Sequence, residues 1–381
     1  MDVVRTLVSF KQCDVRARDK NNNMPLHLAA RNGHNAVISV LIQHGAKVND
    51  RGQFDRTALH DACSKGHVTC IHELMIHGAD IEARDSKREA TPLHLASEFN
   101  YSNCVKMLLE DFGASVNSIN KHGETPLHRA AIAGHVDIVR TLVSFKLCDV
   151  TVRDKNNHTT LHLAAIYGNN DVISVLIQNG AEVNEQGHFG RTSLHVACEN
   201  GHVSCIHELM THGADIEARD SDREATPLHL AAEFDHIDCV KVLLEDYDAS
   251  INAMNKHGET ALHRTAFAVH VDINRTLVSS KQCDVRARDA NNKTPLHEAA
   301  AYGQRALISV LIQHGAEVNA RGEFGRTALH YACLQGHVSC IHELMKHGAD
   351  LEANDSDVGL TPLHIAAYFN HSHCVRILID E

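Results

Sequence analysis

The chain has 381 residues, a formal net charge of −12, 12 cysteines, 32 histidines and no tryptophan. It contains no apolar run of eighteen residues and no basic segment leading into a long apolar one, which argues against a membrane span and a signal peptide. The acidic charge is spread along the chain with no cluster of Lys and Arg, so nucleic acid is not expected as a partner.

In chain order, Met1 to Phe10 matches the later segment Val136 to Phe145, so the chain is expected to open inside a repeat, with 1–18 supplying a second helix and its hairpin. From residue 19 a tetrapeptide recurs: Met24-Pro25-Leu26-His27, Thr57-Ala58-Leu59-His60, Thr91-Pro92-Leu93-His94, and on to Thr361-Pro362-Leu363-His364. There are eleven copies at steps of 33 or 34 residues, so 19–381 reads as eleven repeats. Four steps make a superperiod of 135 residues, and Lys11 to Asp19 returns unchanged at Lys281 to Asp289, two superperiods on. Such a period marks stacked units that touch only their neighbours, so 1–381 is expected to form one elongated domain.

Within a unit, Thr91 is placed to cap a helix and Pro92 to occupy its first turn, where a missing N–H costs nothing. A glycine before His ends that helix, a second helix follows with apolar residues such as Leu74 and Met75, and Gly78-Ala79 breaks it. Asp80 to Arg88 then reads as a polar hairpin reaching toward the next unit. The chain stops at Asp380-Glu381 before the next Gly-Ala, and no polar capping repeat is visible at either end. Two expectations follow: the chain is a segment of a longer array, or its open ends self-associate.

The tetrapeptide histidines, His27, His60, His94, His128, His162, His195, His229, His263, His297, His330 and His364, are expected to be structural. Each ring can bond back to the capping threonine and across to a neighbouring carbonyl. The cysteines recur at 135-residue spacing in place of small apolar residues, as at Cys13, Cys148 and Cys283, and read as buried free thiols in a reducing compartment. Cytoplasm is the expected location, with the nucleus left open.

Two patterns imitate metal sites. Cys63, His67, Cys70 and His72 have zinc-ligand types, but His72 points about 200° away from Cys70 on a helix. His72-Glu73 with His77 has its histidines five apart where a metalloprotease helix needs four. No nucleophile elbow, P-loop or dinucleotide fingerprint occurs, so no metal, no cofactor and no enzymatic activity are expected.

The recurring tetrapeptide, the Leu28-Ala29-Ala30 that follows it, Gly33-His34, the apolar set at Val37, Ile38, Leu41 and Ile42, and Gly45-Ala46 resemble the ankyrin repeat over essentially the whole chain. The resemblance implies an all-α solenoid of helix-turn-helix units joined by β-hairpin loops, acting as a non-catalytic protein-binding scaffold. Its alternatives are the substrate-recognition region of a ubiquitin-ligase adaptor and a mechanical spacer in a larger protein or channel. Asn49, Asn117, Asn184, Asn252 and Asn319, each with Leu eight residues before it, are also similar to substrates of the asparaginyl hydroxylase.

On such a stack the hairpin tips and first helices form a concave side. Phe99, Tyr167, Phe234, Phe267, Tyr302, Tyr368 and Phe369 at first-helix ends, with Phe54, Phe189 and Phe324 in hairpins, are the expected protein-binding residues. Packing against neighbours is the competing role for them. Glu98, Glu199, Glu233 and Glu298 nearby favour a partner segment carrying Arg or Lys. The repeat from Thr260 departs from the pattern, with Val269 in place of the loop glycine and Asn274 at a core position held by Val139 one superperiod earlier. Residues 260–290 are therefore expected to be the weakest link.

Overall fold

A computed structural model describes residues 14–268 and 270–380. The opening helix matched to Val136–Phe145, Cys13 and Val269 lie outside the described residues, as does Glu381. The chain divides into two compact units, Met1–His188 and Phe189–Glu381. Among the described residues each is built from paired antiparallel helices, such as Pro92–Glu98 with Ser102–Glu110 in the first and Pro227–Glu233 with Ile237–Glu245 in the second. No strand occurs among the described residues. The loops are tight turns, and the one bridge of β type joins Arg153 to Thr159.

All six prolines of the chain open a first helix, at Pro25, Pro92, Pro126, Pro227, Pro295 and Pro362. The cap in front of them is a reciprocal box with histidine in the place usually held by Glu. The Thr57 N–H donates to Nδ1 of His60 at 3.1 Å, and the Thr57 hydroxyl lies 2.9 Å from the same nitrogen. Because a backbone N–H can only donate, Nδ1 is unprotonated and the proton sits on Nε2. Nε2 then donates to the Ala90 carbonyl of the next repeat at 3.0 Å.

The same bridge joins His94 to Glu124, His195 to Ala225, His229 to Glu259, His263 to Lys293 and His330 to Leu360, and His27 and His297 each reach two carbonyls. Two positions depart from the expectation. His128 forms the cap, but its buried Nε2 makes no well-formed hydrogen bond to the His158 and Val152 carbonyls near it. His364 forms the cap and is exposed, because no described repeat follows to supply a carbonyl.

A second polar lattice runs through the residue after the loop glycine. His67 Nε2 donates to the Arg31 carbonyl of the preceding repeat at 3.1 Å, His135 to Glu98 at 3.0 Å and His236 to Glu199 at 2.9 Å, while Asn169 does the same to Ile132 at 3.1 Å and also reaches Ala131 at 2.7 Å. The imidazole of His67 lies 2.9 Å from where a Cβ on Gly33 would stand, so that glycine (φ +77°) answers to a close approach as well as to its backbone angle. Asn100, Asp235 and Asn370 take the loop position elsewhere with φ of 64°, 63° and 62°, the left-handed conformation expected of those residue types.

The hairpins are laced together by arginine. Arg18, Arg51 and Arg84 each send a guanidinium N–H to a carbonyl of the following hairpin, at Arg51, Arg84 and Ile119, over 2.8, 2.6 and 2.6 Å. Arg288 and Arg321 continue this pattern in the second unit. Asn49, Asn117, Asn252 and Asn319 clamp the next repeat with both ends of the amide; Asn49 donates to the Gly78 carbonyl at 3.0 Å and accepts from the Asp80 N–H at 2.8 Å.

One expectation is corrected in the core. Asn274 is buried, but its amide has a partner: the Thr265 hydroxyl donates to its Oδ1 at 2.6 Å. Thr265 stands where Ala130 stands one superperiod earlier, so the two departures from the pattern are a matched pair across antiparallel helices. The cysteines also need one adjustment. Nine of the eleven described thiols are buried, whereas Cys148 and Cys283, in loops, are only half-buried.

Candidate functional site

The ten aromatic residues singled out from sequence are all exposed, from 43% at Tyr302 to 81% at Tyr368. Phe99, Tyr167, Phe234, Tyr302 and Phe369 are the residues that end first helices, where the chain turns and the ring leaves the core. Phe54 from a hairpin and Phe99 from a helix end line one depression, so the two classes share a side of the first unit. In the second unit Phe267 meets Tyr302 edge-on at 4.7 Å, and the Arg264 guanidinium lies 5.3 Å from the Phe267 ring.

The hairpin phenylalanines are unusual in their backbone. Phe54, Phe189 and Phe324 have φ of 57°, 54° and 54°, and the following Asp55, Gly190 and Gly325 are also left-handed. Two consecutive left-handed residues favour Asn-Gly, and a bulky side chain in the first position costs about 1–2 kcal/mol. The strain is held by the stack: the carbonyl of each of these residues accepts an N–H from the next hairpin, Ser86, Ser221 and Ser356, at 2.8, 2.7 and 2.7 Å. A cation lies near each ring, Lys87 at 5.7 Å, Arg191 at 5.8 Å and Arg326 at 5.4 Å.

The acidic companions do not behave as expected. Glu98 is gripped by Arg88 at 2.5 Å and Arg129 at 2.9 Å, Glu233 by Arg223 at 3.0 Å and Arg264 at 2.7 Å, Glu199 by Arg191 at 2.6 Å and Glu298 by Lys293 at 3.3 Å. Burial works to raise the Glu98 and Glu233 carboxyls, but the paired arginines outweigh it and hold both below the usual range. At Glu298 burial prevails over Lys293 and the carboxyl is pushed up. These carboxylates are already spent on the protein's own cations, so they offer no argument for a basic partner.

The apparent metal sets also come apart. Cys63 and Cys70 are buried on different helices with their thiols pushed up by burial, His67 is bonded to the Arg31 carbonyl, and His77 pairs with Glu73 at 3.2 Å. Among the described residues no three metal-binding side chains converge. No helix among them is long and apolar enough to cross a membrane.

A family model for ankyrin repeats matches in overlapping segments, 1–85, 57–120, 82–154, 144–220, 161–255, 228–322 and 320–381. The chain belongs to the ankyrin-repeat family. Ankyrin repeats generally mediate protein–protein interaction and are typically non-catalytic, and this ankyrin chain shows only repeats. It is 39% identical over 94 residues to the E3 ubiquitin-protein ligase XBAT32 of Arabidopsis thaliana, covering 25% of this chain and 18% of that one. It is 29% identical over 200 residues to the probable E3 ubiquitin-protein ligase XBOS32 of Oryza sativa subsp. japonica, covering 51% and 32% respectively. The chain thus spans about a third or less of the length of these relatives. Among solved structures, the human ASB11 ankyrin repeat domain is similar with 31% identity and a TM-score of 0.48, over 55% of this chain and 92% of that one.

Sequence reasoning placed the exposed rings of this ankyrin chain. It missed the loop-histidine lattice and the arginine lacing, both of which recur at the same period as the tetrapeptide and were open to the same comparison. It also missed that the Asn49-type asparagines are engaged at both ends of the amide.

Proposed function

We propose that the chain is a non-catalytic scaffold that binds a segment of a partner protein across the aromatic side chains at the hairpin tips and first-helix ends. The observation that carries this reading is the placement of Phe54, Phe189 and Phe324, exposed rings on left-handed backbone at a tip position where the equivalent Asn21, Asn156 and His257 need no positive φ. Strain kept at an exposed position without a packing return points to use of the side chain. Exposed aromatics are also the residues most often found at the centre of protein interfaces. The free thiols fit a reducing compartment such as the cytoplasm or nucleus.

The test is affinity capture with the whole chain and with Phe234, Phe267 and Tyr302 replaced together by Ala. Loss of the captured partner, with the helical content unchanged, is the expected result; retention at equal affinity sinks the reading. A second reading, the substrate-recognition region of a ubiquitin ligase, is favoured by the likeness to XBAT32 and XBOS32. Its test is whether the captured partner is ubiquitylated less when the aromatic triple variant replaces the natural chain in cells.

A further inference from the structure

In the first unit a depression of about 390 Å³ opens between the Phe54 hairpin and the end of the helix before Phe99. That is within the size range of ligand clefts, about 300–1,000 Å³. Its walls carry three cations, Arg31, Arg56 and Lys65, and one carboxylate, Asp61. Asp61 is buried and bound to Arg31 at 3.0 Å, so it offsets one cation from within and presents little charge outward. Arg56 reaches Asp85 only at 3.5 Å, and Lys65 is exposed with no ion pair among the described residues. Lys87 adds a further cation at the rim, 5.7 Å from the Phe54 ring.

The charge is particular to this copy. One superperiod on, Phe54, Arg56 and Phe99 are kept as Phe189, Arg191 and Phe234, while Arg31, Asp61 and Lys65 become Ile166, Val196 and Asn200. A second superperiod on, the same three become Ala301, Tyr331 and Gln335. A repeated aromatic frame has thus gained extra positive charge at one place, Arg31 and Arg56 each facing an internal carboxylate and Lys65 left without an ion pair among the described residues, in a protein of net charge −12. Such charge complements an anion, and the rings on the walls complement apolar side chains next to that anion. The negative charge of the whole chain disfavours a polyanion such as nucleic acid and leaves a single carboxylate as the fitting group.

We propose that this depression binds an Asp or Glu side chain of the partner protein, seated against Arg56 and Lys65, with the neighbouring apolar residue of the partner between Phe54 and Phe99. The proposal rests on the scaffold reading and gives its partner a chemistry, opposite in sign to the one expected from sequence.

A displayed library of random heptapeptides, selected in parallel on the whole chain and on its Lys65→Glu variant, tests it. Peptides selected by the natural chain should be enriched in Asp or Glu beside Leu, Ile or Phe, and the variant should lose that enrichment. For one selected peptide, replacing its acid by the amide should weaken binding about tenfold or more, a difference of about 1.4 kcal/mol. The double variant Arg31→Ile with Asp61→Val installs residues found at the equivalent positions Ile166 and Val196, removes a pair whose charges offset each other, and should leave the acidic preference in place. Lys241→Glu, an exposed change in the other unit, should leave it unaltered. Absence of acidic enrichment, enrichment that persists in Lys65→Glu, or displacement of the peptide by oligothymidylate at lower concentration than by itself would overturn the proposal. If it fails while partner capture still depends on Phe234, Phe267 and Tyr302, this inference alone falls; if capture ignores those rings, the scaffold reading falls with it.

Discussion

The Thr265 hydroxyl and the Asn274 amide meet at 2.6 Å between two antiparallel helices, where the preceding superperiod places Ala130 against Val139. The other end of the amide is served more weakly, its Nδ2 donating to the Thr265 carbonyl at 3.5 Å. Thr265→Ala should therefore destabilise the chain by about 1–3 kcal/mol, by orphaning Oδ1 in the core. Asn274→Val should be neutral or stabilising, because the threonine hydroxyl can turn to the Leu262 carbonyl, 3.1 Å away. The double replacement should recover the loss of the first, giving a coupling of about 1 kcal/mol or more in urea-unfolding midpoints. Additive effects would show that the two side chains do not interact.

Stability should fall with acid. Burial lowers the pKa of nine tetrapeptide histidines, and at His60, His94, His229 and His297 it lies at about 4. In the unfolded chain the same groups titrate near 6.5, so between these values the unfolded state binds more protons. The stabilisation is complete above about pH 6.5 and is lost as pH falls toward 4, by about 3 kcal/mol for each fully depressed ring. Asp61 and Glu298, raised by burial, act in the opposite direction but are fewer. Thermal midpoints measured from pH 7.5 to 4.5 should decline steadily below 6.5; a flat profile would contradict neutral buried histidines.

Phe54→Asn should stabilise the chain by about 1 kcal/mol, because Asn tolerates the left-handed backbone that Phe54 occupies at φ 57°. The same change should weaken partner binding. A gain in chemical-denaturation midpoint together with a lower affinity is the expected pair of results, and a loss of stability would mean that the exposed ring packs for the fold.

His135→Ala should cost about 1 kcal/mol through the lost bond to the Glu98 carbonyl, whereas His135→Asn should cost less, since Asn169 makes the equivalent bond, to Ile132, one repeat on. Equal losses for the two variants in the same unfolding assay would show that the ring contributes by packing alone.

The helices, their caps and the exposure of the aromatic residues were legible because each is a local consequence of the repeat. Thr91 and His94 lie three residues apart, and the ring at Phe99 leaves the core where its helix ends. What escaped depends on pairs that cross repeats or helices. Glu98 read as a free acid because its arginines are 10 and 31 residues away, at Arg88 and Arg129. Asn274 read as a weak point of the core because its partner lies nine residues upstream on the facing helix. The basic depression required Arg31, Arg56 and Lys65 to be brought together from separate elements.

The central claim is that a protein partner lies on the exposed rings. A photo-crosslinking amino acid placed in turn at Phe54, Phe234 and Tyr302, and at the exposed second-helix residue Ile76, tests it most directly in cells. The account predicts one partner protein joined to the chain from Phe54, Phe234 and Tyr302 and not from Ile76. Crosslinks to that partner from Ile76 alone would contradict it.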